Sequence, residues 1–238
     1  MPKIAVLYRL ALMLALATSV GLTGCATAPD ADPRDPFEAF NRSSYDFNKS
    51  LDEVIVEPIG RGYNAIVPGP VNQGISNFFD NLRDVQSAIN NLLQLKIGRA
   101  FSDVGRVAIN STIGILGFMD VASNMDLPSY KEDFGQTLGV WGLDSGPYLV
   151  LPFFGPSSAR DGVGVVVDWY TDPVYFIDDS GTRWGLRGLR LVDLRADLLN
   201  VSRVIEQAAL DPYAFVRDAY LQRRNSLVYD GNPPLEDE

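Results

Sequence analysis

Apolar positions recur at helical spacing along much of this chain. Phe37, Phe40, Ser44, Phe47 and Leu51 follow one another at steps of 3, 4, 3 and 4, an apolar stripe with one small polar break. Asp35-Pro36-Phe37-Glu38 predicts the start of that helix, with Asp35 as cap, Pro36 at the first helical position and Glu38 where a capping box places its acid. The same device stands at Asp211-Pro212-Tyr213, ahead of Phe215, Val216, Ala219 and Tyr220. Val71, Ile75, Phe78, Phe79 and Leu82 make another helical pattern, which Val85, Ile89, Leu92 and Leu93 continue. Leu191, Leu194, Leu198, Val201, Val204, Ile205 and Ala208 form an amphipathic helix near the C-terminus. Strand alternation is scarce, so the expected class is mostly α.

Two stretches break the pattern. Phe134 to Ala159 carries a single charge, Asp144, and Val107 to Met119 carries none. Neither suits a conventional transmembrane helix, because both are short for the roughly 20 apolar residues a span needs and Pro147, Pro152 and Pro156 interrupt the longer one. One reading makes them buried core of a water-soluble domain. The other lays them against one leaflet of a bilayer, with Trp141, Tyr148, Leu149, Leu151, Phe153 and Phe154 as membrane contacts.

The N-terminus bears on that choice. Lys3 and Arg9 precede an apolar run from Leu10 to Val20, the arrangement of a signal peptide. Leu22-Thr23-Gly24-Cys25 then reads as a lipobox, which makes residues 1–24 the cleaved signal and Cys25 an acylated first residue carrying diacylglycerol and an N-acyl chain. Cys25 is the one cysteine in the chain, so it has no disulfide partner and no thiolate metal cage to join. Ala26 follows it rather than the aspartate associated with inner-membrane retention, which points to the outer membrane. Residues 25–34 make an anchored tether, and its nine residues after the cysteine reach at most about 30 Å. The mature part has 18 basic and 30 acidic residues once Lys3 and Arg9 are removed, a balance that speaks against nucleic acid and against a polybasic grip on lipid. The chain contains no histidine, which removes Ser-His-Asp and Cys-His catalytic sets and His-ligated metals. No cofactor or metal is expected.

Blocks of residues along nearly the whole mature chain carry a resemblance. Asp35-Pro36-Phe37-Glu38-Ala39-Phe40-Asn41-Arg42, Asn110-Ser111-Thr112-Ile113-Gly114, Asp133-Phe134-Gly135-Gln136-Thr137-Leu138-Gly139 and Gly146-Pro147-Tyr148 resemble, in this order, the MlaA (VacJ) lipoprotein family. The chain departs at Leu95-Lys96, where the family often places glycine, and a local turn is in question there. The resemblance implies a ring-like helical bundle over residues 35–226, lying in the inner leaflet of the outer membrane with a polar central channel. Such a protein removes phospholipids that have strayed into the outer leaflet and passes them to a soluble periplasmic carrier; the family also associates with a trimeric porin. No bond-breaking chemistry belongs to this scheme. Arg160, Asp161 and Asp168, framed by Gly162-Val163-Gly164-Val165-Val166-Val167, are the candidate channel-lining charges, although capping or pairing at a helix start suits Arg160 and Asp161 individually better than the channel does. Residues 227–238 read as an acidic, disordered tail.

Two other functions stand beside transport. One is a non-transporting scaffold that tethers a porin or envelope complex. The other is a lipid hydrolase, which the absence of histidine and of a Gly-x-Ser-x-Gly elbow disfavours. Gly162-Val163-Gly164 lacks the third glycine of a dinucleotide fingerprint, and Asp133-Phe134-Gly135 stands without the other kinase motifs.

Overall fold

The computed structural model describes residues 32–234. The signal, Cys25 and the last four residues lie outside this range. Helix α1 (Glu38–Leu51) runs through one wide π turn (Asp52–Val56) into α2 (Glu57–Ile66). A long antiparallel pair follows, α3 (Gly69–Leu93) and α4 (Ile97–Thr112). Then come α5 (Phe134–Val140), a two-stranded antiparallel hairpin of β1 (Tyr148–Leu151) and β2 (Gly155–Ser158), α6 (Ala159–Thr171), α7 (Ser180–Ala208) and α8 (Pro212–Val228). In the described part α2 and α3 pack on α7, α5 packs on α6 and α8, and β1 lies on α1. No described helix is long and apolar enough to cross a membrane.

The helical periods are those of the sequence, but the faces are turned the other way round. In a domain built for water the apolar stripe of a helix packs on the core. Here Phe37, Phe40 and Phe47 of the first stripe point outward, Phe40 at 54% exposure, while Asn41 is fully buried with Ser44 beside it. Ile89, Leu92 and Leu93 of α3 are exposed; Phe79 of its stripe is buried, but the rest of the inward face is polar and includes Asn81, Asp84, Ser87 and Asn91, at steps of 3, 3 and 4. On α4 the buried side chains are Ala100, Asp103, Arg106 and Asn110, with Phe101 and Val104 outside. Leu191, Leu194, Leu198 and Val201 of α7 are each more than half exposed, against a buried Asp193. Among the described residues 23 polar or charged side chains are buried and only eight apolar ones, so hydrogen bonds and ion pairs fill most of the interior.

The small apolar core forms where the hairpin meets α1 and α8. Tyr148, Val150 and Tyr213 bury one another, with Tyr45, Tyr220 and Leu221 packed around them. Asn41 fixes the hairpin from α1: its amide donates to the Tyr148 carbonyl at 3.0 Å and its oxygen accepts the Val150 N–H at 2.8 Å. The expectation that Tyr148 touches membrane is therefore corrected. Its register in β1 aims the ring at Tyr213 and Tyr220, where it is fully buried. Leu149 and Leu151 are half-buried, whereas Trp141, Phe153 and Phe154 are exposed.

Two more expectations change. Asp211 caps α8, its carboxylate accepting the Ala214 N–H at 3.2 Å, as its sequence predicts. Asp35 does not cap α1 with its side chain: the buried carboxylate accepts instead from Asn41 and Tyr213, and Arg217 lies 3.4 Å away. The boundary at 226 falls inside α8, which continues to Val228, and Asp230 beyond it is ion-paired with Lys96 and Arg99. Those two cations hold residues 227–230 against the start of α4, so this part of the tail is ordered.

Candidate functional site

The interior is a set of linked polar clusters. Between α3 and α4, Arg106 donates from Nε to Asp84 at 2.8 Å, from Nη1 to the Leu127 carbonyl at 2.8 Å and from Nη2 to Asp120 at 3.2 Å. Ser129 donates to the other Asp84 oxygen at 2.8 Å. Asp103 accepts from Asn91 at 2.8 Å and from the Tyr130 N–H at 3.2 Å, and burial still pushes its carboxyl up to about 6. Buried charges persist only where partners of this kind surround them.

A second cluster joins α5, α6 and α8. Asp133 caps α5, accepting the Gln136 N–H at 2.9 Å. Arg224 of α8 donates to both oxygens of Asp133, at 2.5 and 2.8 Å, and to both oxygens of Asp161, at 3.0 Å each. Tyr220 adds a 2.7 Å hydrogen bond to Asp161, and Arg160 donates to it from Nε at 3.0 Å. Burial alone would raise the Asp133 carboxyl, but the Arg224 fork outweighs it and holds the group at about 2. Asp168, two helical turns further along α6, accepts the Phe134 N–H at 3.2 Å. Burial, with the negative Asp133 nearby, pushes it up to about 7. The backbones of α5 and α6 approach closely because Gly135 and Gly164 face each other: a Cβ on Gly164 would lie 2.5 Å from the Gly135 nitrogen.

Beside this cluster opens a cleft of about 960 Å³. Its wall combines cations and acids (Arg34, Arg160, Arg224, Asp144 and Asp218) with the apolar side chains of Phe37, Leu143 and Val228. Arg34 is paired with Asp32 and Asp218, and Arg224 with Asp133 and Asp161, so the charges of the wall largely neutralise one another. The Ser145 hydroxyl in the wall is buried without a hydrogen-bond partner among the described residues. Such a surface offers hydrogen bonds to a polar group without fixing it by net charge, which suits passage better than tight retention.

The three charges singled out in the sequence occupy different places. Arg160 reaches the cleft wall, Asp161 lies behind it in the Arg224 cluster, and Asp168 closes on the α5 N-terminus. Sequence reasoning missed Asp84, Asp103 and Arg106 on the α3–α4 pair, and Asp133 and Arg224 at the second cluster. The signal that finds the first set is the polar repeat Asn81, Asp84, Ser87, Asn91 opposite the apolar stripe. Cys25 lies outside the described residues.

The chain matches the profile of the family described as MlaA lipoprotein over residues 33–227. It is 36% identical over 230 residues to the intermembrane phospholipid transport system lipoprotein MlaA of Haemophilus influenzae, covering 92% of this chain and 91% of that protein. The protein of the same description from Escherichia coli K12 is also 36% identical, over 231 residues that cover 92% of this chain and 88% of the other. A solved structure described as a structural basis for maintenance of bacterial outer membrane lipid asymmetry superposes with a TM-score of 0.71 at 33% identity, covering 82% of this chain and 98% of that one.

Proposed function

The chain belongs to the MlaA lipoprotein family, and on that premise we propose that it removes mislocalised phospholipids from the outer leaflet of the outer membrane, maintaining the asymmetry of that bilayer. The observation that carries this reading is the reversed amphipathicity of its helices. A phospholipid joins a charged headgroup to acyl chains, so a path for it needs polar groups enclosed by a body whose outside tolerates hydrocarbon. Asn81, Asp84, Asn91, Asp103, Arg106 and Asn110 supply such an interior on α3 and α4, and the exposed Phe40, Phe47, Phe101, Leu194 and Leu198 supply the outside. Large exposed apolar surface on a single chain marks a membrane or partner contact.

In this reading the ring of helices lies in the inner leaflet, held by the acyl chains on Cys25, and two or more such chains anchor stably. Headgroups travel along the polar interior toward the periplasmic side, where a soluble carrier receives them. A trimeric porin covers part of the apolar exterior. No step breaks a bond, and none needs a cofactor.

The test is the phospholipid content of the outer leaflet, read with a surface-accessible lipid probe in cells lacking the protein. Loss is expected to raise outer-leaflet phospholipid, and the wild type to restore it while Cys25→Ala does not. An unchanged leaflet in all three strains would replace transport with the scaffold.

A further inference from the structure

Among the described residues one half-buried arginine has neither a carboxylate nor a hydrogen-bond acceptor. Arg106, Arg160, Arg195, Arg217 and Arg224 each meet a carboxylate. Arg187 on α7 meets none among the described residues. Its guanidinium carbon lies 3.5 Å from the ring centre of Trp169 and 5.3 Å from that of Trp184. None of its N–H groups donates to a described residue, and Nη2 is sealed from solvent without a partner. A buried donor left so is unfavourable, and stacking on the rings satisfies the charge but not the hydrogen bonds. The neighbours on the same face of α7 are also basic. Arg190, three residues on, is paired with Asp172 at 2.6 Å, and Arg183, four residues back, donates to the Ile177 carbonyl at 3.3 Å.

The surroundings say what kind of group completes Arg187. Phe154, Trp169 and Trp184 form a chain of rings with centres 6.0 and 6.2 Å apart, and Phe154 and Trp184 are exposed on the same exterior that carries Leu191, Leu194 and Leu198. Tryptophan suits the boundary between acyl chains and headgroups, since its ring is apolar and its N–H polar. A guanidinium held flat on a ring keeps its edge free, and with Nη2 turned inward the Nε and Nη1 donors are the pair left to meet two oxygens of a phosphate. A ligand that fits must bring phosphate and hydrocarbon together. We infer that Arg187, with Trp169 and Trp184, binds the headgroup phosphate of a phospholipid from the surrounding leaflet, a subsite on the outside of the fold and separate from the cleft. It rests on the membrane-seated reading above, and it orients the helix ring by fixing the depth at which α7 meets the headgroups.

The full acylated chain, reconstituted into vesicles of phosphatidylethanolamine and phosphatidylglycerol, tests this. A Trp141→Phe background leaves Trp169 and Trp184 as the only tryptophans of the chain's three. Their fluorescence is read against phospholipid carrying a nitroxide either on the headgroup or at the far end of an acyl chain. Headgroup label is expected to quench strongly and acyl-end label weakly. Arg187→Gln should weaken the headgroup-label midpoint about tenfold, and Arg187→Lys, which keeps the charge but not the fork, by less. Circular dichroism of both variants checks folding, and the lysine variant carries the test if the glutamine one misfolds. Unchanged headgroup quenching in a folded variant that still enters the vesicles overturns the subsite alone, as does equal quenching from the acyl-end label. Inorganic phosphate that by itself saturates the tryptophan response of detergent-solubilised protein reassigns the site to a soluble anion and overturns the lipid. Failure of the parent protein to enter the vesicles overturns the membrane-seated reading along with it.

Discussion

Leu95 ends α3 in the left-handed region, at φ 61°, with the Lys96 N–H donating back to the Asn91 carbonyl at 2.8 Å and its own N–H to Leu92 at 3.0 Å. This is the six-to-one closure in which glycine is the usual residue. The side chain is 82% exposed, so nothing offsets the strain by packing. A left-handed L-residue costs roughly 1–2 kcal/mol, and glycine's larger entropy in the unfolded chain takes back about half. Leu95→Gly is therefore expected to stabilise the protein by about 1 kcal/mol, seen as a higher denaturation midpoint in detergent. At Asp168 the sign is opposite to that of most carboxylates. Its folded value of about 7 lies above its ordinary 3.8. The folded state therefore holds this proton more tightly, and the contribution is complete below about pH 4 and lost as pH rises through 7. The groups around it are Asp133, which repels it, and Arg224 and Arg83, which attract it less. Asp168→Asn keeps an oxygen for the Phe134 N–H and should raise stability at pH 8 by on the order of 2 kcal/mol. It should also flatten the fall between pH 4 and pH 7; a melting series that keeps the wild-type slope would remove Asp168 as its source.

Helix pairing depends on what stands at the crossings. The α5–α6 contact is backbone against backbone at Gly135 and Gly164, and a Cβ on Gly135 would meet Asp161 at 2.6 Å and Arg224 at 2.7 Å. A Cβ on Gly164 would meet backbone, the Gly135 nitrogen at 2.5 Å and its Cα at 2.8 Å, which cannot give way without separating the helices. Gly164→Ala is thus expected to destabilise by about 2–3 kcal/mol, at the upper end of the cost of overpacking, and chemical denaturation of the variant measures it. The α3–α4 pair is held differently, by Arg106 between Asp84 and Asp120. The π turn at Asp52–Val56 serves the α2–α7 contact, since Arg195 donates from Nε to Asp52 at 2.7 Å and lies 3.2 Å from Glu57 across it.

At the scale of the molecule, composition and arrangement say different things. A hydrophobic content of 46% is ordinary for a globular chain. What sets this protein apart is that the apolar share lies outside. In the proposed reading the acyl anchor and the apolar exterior contribute independently to membrane residence. The Cys25→Ala protein, although unanchored, is expected to need detergent to stay dispersed. Sedimentation in buffer with and without detergent decides this, and a monodisperse Cys25→Ala monomer in buffer alone would count against an exterior built for lipid.

The sequence by itself determined where most helices run, because periodicity and caps such as Asp211 are local properties of the chain. It also carried the family, through blocks spread from Asp35 to Tyr148, and the absence of histidine chemistry. Only the tertiary structure decided which way the stripes face. An amphipathic pattern defines an axis across a helix but not which side meets solvent; that depends on whether the medium is water or hydrocarbon, and on whether the polar faces find partners. The Arg106 and Arg224 clusters join residues far apart in the chain, and no spacing rule marks them as neighbours. Tyr148 shows the same limit within one hairpin: an aromatic in an uncharged stretch reads alike as membrane contact or core, and the strand register that sends its ring to Tyr213 is set by Asn41, more than a hundred residues away.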